Sequence, residues 1–310
     1  MEINFPNLQS LNTGVSLAYN TAFWSAPTVR QRYTYDASST GPDEVYPRLD
    51  LIGGLREWVG ARTIERLSLS KFTIVNKNFE KTIAIDRNDI EDDKFGFLAP
   101  AAQQLGQVAA HLPDQLITKL MLDGHTAPIY DGQNFFDTAH PTFDANAAAT
   151  TVSNYQVAGQ GETNGSPWFL IDVSQVLMPF IWQTRRPFNI VPMVALDNPY
   201  VFQNREFVWG TDGRGNAGYG LWHLAAMSTA PLTAANFGTL RAQMAAISRP
   251  DGTPMGIVPT LLVHGPALKG AAVALAKGEF ILATGTAPTV AYQPNPWVGT
   301  FEPLENPWIR

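Results

Sequence analysis

The stretch "YDGQNFFDTAHP", residues 130–141, holds the residue types best suited to grip a metal: Asp131, Asp137 and His140. Carboxylate oxygen and imidazole nitrogen both ligate zinc, and a zinc-activated water would make the chain a hydrolase. Such a centre needs three fixed protein ligands. Here Asp137 and His140 supply a close Asp-x-x-His pair, a third fixed ligand is missing, and Gly132 and Pro141 mark a loop. The competing reading makes His140 a hydrogen-bonded turn residue. A metal-dependent hydrolase using Asp131, Asp137 and His140 is the alternative function.

The densest acid lies in "TIAIDRNDIEDDKFG", residues 82–96, where Asp86, Asp89, Glu91, Asp92 and Asp93, with Glu80 just upstream, surround Arg87. A calcium loop counted from Asp86 fails, because Ile90 takes its fifth position and Glu91 the sixth, where a turning glycine is required. Successive acids on a strand end and loop point different ways and do not converge on an ion. The run reads instead as charge placed at the positive end of the following helix, or as ion pairs across an interface.

"GTDGRGNAGYG" contains a formal G-x-G-x-x-G at Gly213, Gly215 and Gly218. A dinucleotide site also needs a following helix and an acid about twenty residues on. No Asp or Glu occurs between Asp212 and Asp251. A glycine-rich hairpin tip is the expectation. The basic doublet Arg185-Arg186, followed by Pro187, suits salt bridges better than phosphate contact. There is no nucleophile elbow, phosphate-binding loop or H-E-x-x-H, cysteine is absent, and the five histidines are scattered. Thiolate catalysis and disulfides are excluded, no cofactor or metal is expected, and the chain does not read as an enzyme.

The surrounding elements suggest a protein completed by its neighbours. Of 310 residues only 15% are charged, against roughly 25% in soluble domains, which leaves surface to be buried against other chains. A net charge of −6 argues against a dedicated nucleic-acid reader. No apolar run reaches the roughly 18 residues of a membrane span, and "MEINFPNLQS" is no signal peptide, so a soluble protein made in a cytoplasm is expected.

Residues 1–46 show no sustained period and read as an arm; Phe23, Trp24, Tyr33 and Tyr35 would drape it over a neighbour. A short helix is expected around Leu51, Leu55, Trp58, Val59 and Ile64. "KFTIVNKNFEKTIAIDRNDI" predicts a β-hairpin turning at "NKN", unsupported until another subunit covers it.

Residues 97–122 predict a helix of roughly 40 Å, with Ala101, Leu105, Val108, Leu112, Leu116 and Leu120 as its buried stripe and Pro113 kinking or restarting it. Residues 125–167 are loop-rich, and 168–228 hold apolar runs that read as strands. "LTAANFGTLRAQMAAI", capped by Thr233, predicts a helix, "VPTLLVHG" a buried strand, "PALKGAAVALAKG" a second helix, and the Pro- and Trp-rich tail is extended. The fold class is α+β.

Taken in order, "LREWVG" (55–60), the predicted hairpin, "DRNDIEDD" (86–93), "HLPDQL" (111–116), "YDGQNFFDTAHP", "WFLIDVS" (168–174) and "NPW" (295–297) resemble the Mu-like phage major head subunit, the gene product T family. The resemblance implies a Hong Kong 97-type capsid fold: N-terminal arm, extended β-hairpin loop, peripheral domain with a long spine helix, and axial domain. Mapped onto this chain, 1–46 is the arm and 47–93 the helix and extended loop. Residues 94–124 are the spine helix, 125–167 a loop-rich connection, 168–228 peripheral strands, 229–290 axial helices and strand, and 291–310 an extended tail.

The implied function is that of a major head protein whose copies, as hexamers and pentamers, enclose double-stranded DNA in an icosahedral shell; a tail or baseplate component is a further alternative. The implied partners are further copies, a separate scaffold, a portal, decoration proteins, and packaged DNA held non-specifically, with no membrane. The virion is the expected location, with assembly in the host cytoplasm. The residues expected to make inter-subunit contacts are Phe23, Trp24, Arg56, Glu57, Trp58, Asp86, Arg87, Asp89, Glu91, Asp92 and Asp93.

Overall fold

Asn4 starts the first helix: its side chain accepts from the Asn7 N–H, and Pro6 occupies the first turn, where its missing N–H costs nothing. The computed structural model describes residues 2–47, 71–92, 96–282 and 292–310. This helix, α1 (Phe5–Ser25), buries Leu8, Val15, Tyr19 and Ala22. Those steps of seven, four and three residues are a helical stripe in a segment expected to have no period. Polar residues and Gly14 between the apolar positions conceal it. A 3₁₀ turn at Arg30–Arg32 leads into β1 (Thr34–Ser38), and β2 (Asp43–Pro47) follows.

The predicted hairpin is not formed. The strands β3 (Lys71–Val75) and β4 (Lys77–Asp86) flank Asn76, but β3 pairs antiparallel with β2 and β4 pairs antiparallel with β10 (introduced below) from Lys77↔Gly215 to Asp86↔Glu206. Asn76 is not a turn tip. It is a buried junction whose side chain donates to Ser39 Oγ (2.7 Å) and the Gly41 carbonyl (3.0 Å). The expected helix over 51–64 lies outside the described residues.

After α2 (Arg87–Asp92) comes the long helix α3 (Leu98–Asp123), about 39 Å at 1.5 Å per residue. It runs through Pro113 without a break, and its buried face follows the predicted stripe only in part: Leu105 is buried and Leu116 and Leu120 pack against the core. Ala102, Leu105, Gly106, Ala109, Ile117 and Met121 are buried, while Val108 is exposed. The period is the expected one and the phase is rotated, because α1 lies against the small residues. A Cβ on Gly106 would run into the Tyr19 carbonyl and crowd the Phe23 N–H, so the two backbones touch there.

The strands β5 (His140–Phe143) and β6 (Ala149–Val152) pair with each other; β7 (Tyr155–Gln156) and β8 (Trp168–Ile171) follow. Two fourteen-residue strands, β9 (Phe180–Met193) and β10 (Glu206–Tyr219), flank α4 (Pro199–Asn204). Then come β11 (Ala225–Ser228), α5 (Ala234–Ala245), β12 (Leu261–His264), α6 (Lys269–Lys277), β13 (Phe280–Leu282), β14 (Tyr292–Pro294) and β15 (Glu302–Glu305). Thr233 caps α5 as expected, accepting from the Asn236 N–H at 3.2 Å.

Two main sheets result. One has the order β1-β9-β10-β4 and carries α1 and α3, with Leu105, Phe207 and Trp209 between the layers and the Tyr19 hydroxyl 2.6 Å from Thr211 Oγ1. The other has the order β15-β12-β8-β11-β7, with Phe169, Leu170, Phe237, Leu240 and Leu262 in its core. Residues 168–228, expected as one set of strands, are therefore shared: β8 and β11 lie in the second sheet, β9 and β10 in the first. Apolar runs give strand positions but not partners. G-x-G-x-x-G is no hairpin tip but the body of β10, where the missing side chains admit the Phe188 ring at Gly213, the Gln183 backbone at Gly215 and Ile74 at Gly218.

A buried polar network joins the layers. Asp114 Oδ1, from the middle of α3, accepts from Thr28 Oγ1 (3.0 Å), the Val29 N–H (3.2 Å) and the Arg30 N–H (2.8 Å). One turn on, Asn306 donates to Thr118 Oγ1 at 2.8 Å and to the Tyr33 hydroxyl at 3.3 Å. Burial raises the Tyr33 phenol well above its ordinary value, with the Asp114 charge adding to the effect.

Gly106→Ala should destabilise the subunit by about 1–3 kcal/mol, against the roughly 1 kcal/mol that helix propensity alone would return; an unchanged or higher denaturant midpoint would refute the close crossing. Asp114→Ala should cost about 2 kcal/mol, because it strips a charged acceptor from three partly buried donors, and Asp114→Asn less; equal midpoints for the two would show that the acceptor is irrelevant.

Candidate assembly surfaces

The trio Asp131, Asp137 and His140 does not form a metal centre. His140 Nδ1 sits 2.7 Å from Asp131 Oδ2 with both side chains buried, and its ring stacks on Trp222 at 3.9 Å. Asp137 turns away: Oδ1 accepts from the Thr138 N–H (2.7 Å) and the Ala139 N–H (3.2 Å). Its own N–H donates to Asn154 Oδ1 at 2.8 Å. The buried Asn154 amide then reaches the Phe135 carbonyl at 2.9 Å and the Ala225 carbonyl at 3.2 Å, tying the loop to β11. Among the described residues no group of three His, Asp or Glu could hold a metal. These residues fasten a loop.

Of the residues expected at interfaces, Arg56, Glu57, Trp58 and Asp93 lie outside the described residues. The others fall in two places. At the end of α1, Phe23 stacks on Tyr19 (5.9 Å) and meets Trp24 edge-on (5.1 Å). Phe23 is partly buried, but Trp24 is 80% exposed, and Phe5 and Leu17 on the same helix are exposed too. A tryptophan left in water on a helix otherwise fixed to the body is an apolar surface without a cover within the described chain.

The acids cluster at α2. Asp86 Oδ1 accepts from the Asn88 N–H at 2.7 Å, so it caps α2, not the long helix. The start of α3 has no side-chain cap. Arg87 pairs with Glu91 one turn on (2.8 Å), its N–H donates to the Arg205 carbonyl (2.8 Å), and Ile90 is buried. Asp89, Glu91 and Asp92 are left on the exposed face. Arg87–Glu91 is thus an ion pair within the subunit.

The ribbon made by β2 and β3 is anchored at its root, contrary to the expectation of a hairpin resting only on neighbours. Gln183 of β9, fully buried, donates to Asn76 Oδ1 at 2.8 Å and accepts from the Tyr46 hydroxyl at 2.9 Å. Glu44 accepts from the Thr40 N–H (2.5 Å), the Gly41 N–H (3.1 Å) and Ser39 Oγ (3.1 Å), which together hold its carboxyl below the ordinary glutamate value. Arg185 donates to the Ser39 carbonyl at 3.1 Å, and Arg186 pairs with Asp212 across the sheet, so the doublet makes structural contacts. Neither Asn76 nor Gln183 is legible as a hinge in the sequence. An Asn between two β-branched runs signals a turn just as well as a junction.

A family profile described as the Mu-like prophage major head subunit gpT matches residues 8–309. The major capsid protein of Escherichia phage Mu is 35% identical over 276 residues, 88% of this chain and 90% of that protein. The Mu-like prophage FluMu major head subunit of Haemophilus influenzae is 32% identical over 283 residues, covering 90% of this chain and 92% of its own length. Among solved structures, a chain of the procapsid of bacteriophage JBD30 superposes with a TM-score of 0.81 at 34% identity, covering 99% of this chain and 100% of that one. A chain of the JBD30 capsid superposes at 0.76 with 26% identity over 92% of each. Ordered motifs and an α+β chain built on one long helix and two main sheets meet these matches in one result: the chain belongs to the Mu-like phage major head subunit family, and by that membership it is a major capsid protein of the Hong Kong 97-type fold, not an enzyme.

Proposed function

We propose that copies of this chain, as hexamers and pentamers, close into an icosahedral head that holds double-stranded DNA. The observation that carries this reading is the match to a procapsid subunit over 99% of the chain. In domain terms, the sheet bearing α1 and α3 is the peripheral domain, the five-stranded sheet with α5 and α6 is the axial domain, and the β2–β3 ribbon is the root of the extended loop. α1 takes the place of the arm and presents Phe23 and Trp24 to a neighbour. Asp86, Arg87, Asp89, Glu91, Asp92 and Asp93, together with Arg56, Glu57 and Trp58, contribute further contacts between copies. A net charge of −6 suits an inner wall that lets DNA enter and leave without sticking. A scaffold and a portal complete the partners during assembly in the host cytoplasm. The JBD30 capsid occurs decorated with minor capsid protein trimers, and the same class of partner is assigned to this head.

Negative-stain electron microscopy of the purified protein, with a scaffold supplied if needed, should show closed shells. Rings or tubes would point to a tail component, and chelator-sensitive hydrolysis to the metalloenzyme alternative. The double charge reversal Asp89→Lys with Glu91→Lys should lower shell yield while leaving the circular dichroism of the subunit unchanged. One exposed pair contributes roughly 0.5 kcal/mol, but a contact between copies repeats at every interface; undiminished yield would count against these acids.

Glu44 adds a pH dependence. Because its folded-state value is depressed, its contribution is present above the ordinary glutamate range and is lost as pH falls through the depressed value. The protection factors of the β2 and β3 amides, corrected for the intrinsic pH dependence of exchange, should fall on acidification in the natural chain. In Glu44→Gln they should be low throughout, and identical profiles would remove the carboxylate from the root.

A further inference from the structure

A cleft of about 380 Å³ opens where the end of α1, the middle of α3 and the strands β9 and β10 meet. Its walls bring together Arg30, Arg186 and Arg214 with Trp24, Trp182 and Phe188, and no described carboxylate lines it. In a chain of net charge −6 this is a local excess of cation. Arg30 is paired with Asp36 and lies 5.7 Å over the Trp182 ring; Arg186 is paired with Asp212. Arg214 stands directly opposite Arg186 in the β9–β10 register, a like-charge pairing that opposes sheet formation, and its Nε is buried without a hydrogen-bond partner among the described residues. Inside one subunit the arrangement is unfavourable. It becomes favourable when an anion arrives.

The complementary group is on the same molecule but out of reach. Asp89 lines a cavity with Leu98 and Ala101 at the start of α3, whereas the cleft is bordered by Ala110 and Pro113. Twelve helical residues separate Ala101 from Pro113, roughly 18 Å. A carboxylate at one end of the α1–α3 pair and an unsatisfied guanidinium further along it cannot meet within a copy. They can meet between copies placed head to tail, and a heterologous contact of that kind closes into rings.

We propose that the Arg30–Arg186–Arg214 cleft receives the acidic face of α2, with Asp89 at its centre, from a second copy of this chain, and that Trp24 closes over the contact. The proposal rests on the shell reading above and names a partner surface within it. Nucleic acid is the weaker occupant: with two of the three arginines already paired, about one uncompensated charge remains in a recess, whereas a phosphate backbone is held by a track of free cations.

The lack of native cysteine makes the test direct. Gln31, exposed at the cleft, and Asp92, exposed on α2, are replaced together as Gln31→Cys and Asp92→Cys, and assembled shells are oxidised with diamide. A ladder of covalent dimers and higher rings is expected, absent from dispersed subunits. Normal shells that yield only monomer would overturn the proposal and leave the shell reading standing; failure of the natural chain to form shells would instead strike that reading.

Should the cysteine pair itself block assembly, Arg214→Glu decides. It replaces a like-charge pair with an attractive one inside the sheet, so the melting temperature should hold or rise. Shell yield should fall at least tenfold. Undiminished yield would overturn the proposal, and full shells with a reduced DNA content would overturn it in favour of phosphate.

Discussion

One carboxylate, Asp114, holds the layers of this subunit in register. It is buried in the middle of α3, a place where an unpaired charge would be costly. Its occupancy is explained by three donors from residues 28–30, which turn the chain out of α1 toward the first sheet. Four residues on, Thr118 and Asn306 repeat the device for the C-terminal segment, and the Tyr33 hydroxyl joins them. Two connections far apart in sequence are thereby tied to a single helix. With no cysteine for a staple, hydrogen bonds inside a low-dielectric core fix geometry that apolar packing alone would leave free to slide.

Around that pin the two sheets divide the labour. The four-stranded sheet is long and thin, and a face of it is covered by α1 and α3. The glycines of β10 let a ring and a neighbouring backbone press against the strand at Gly213 and Gly215. The five-stranded sheet has four-residue strands such as β8 and β12 buried along their whole length, with α5 and α6 packed near them. The surface left over is what an assembling subunit requires: a Trp24 uncovered within the described residues, an acidic face on α2, and a β2–β3 ribbon anchored through Asn76 and Gln183.

Much of this was legible in the sequence, and the failures have specific physical causes. Thr233 and the apolar spacing after it identify α5, because cap and stripe are both local. The long helix declares its period through Leu105, Leu116 and Leu120. Its phase is hidden, since the buried face uses glycine, alanine and an aspartate where bulk would normally mark the core. α1 is missed for the same reason: Leu8, Val15, Tyr19 and Ala22 are spaced for a partner helix yet diluted by polar neighbours. The β2–β3 and β4–β10 pairings are long-range choices that no local pattern encodes, so the local pattern around Asn76 favours a hairpin that the fold does not form. At the candidate surfaces, Trp24 and the acids could be found from residue type alone. The arginine cleft could not, because its members come from residues 30, 186 and 214 and only the folded sheet brings them together.

The junction at Asn76 has a mechanical consequence. β3 continues into β4 through a single residue, and β4 is joined to β10 over a ten-residue ladder. Any tug on the ribbon is therefore borne lengthwise by that ladder, with many amide–carbonyl bonds strained in parallel, not peeled apart in succession. Rungs loaded side by side resist far more force than a zipper opened from one end. The ribbon is thus moored to the body in shear, along the length of β4.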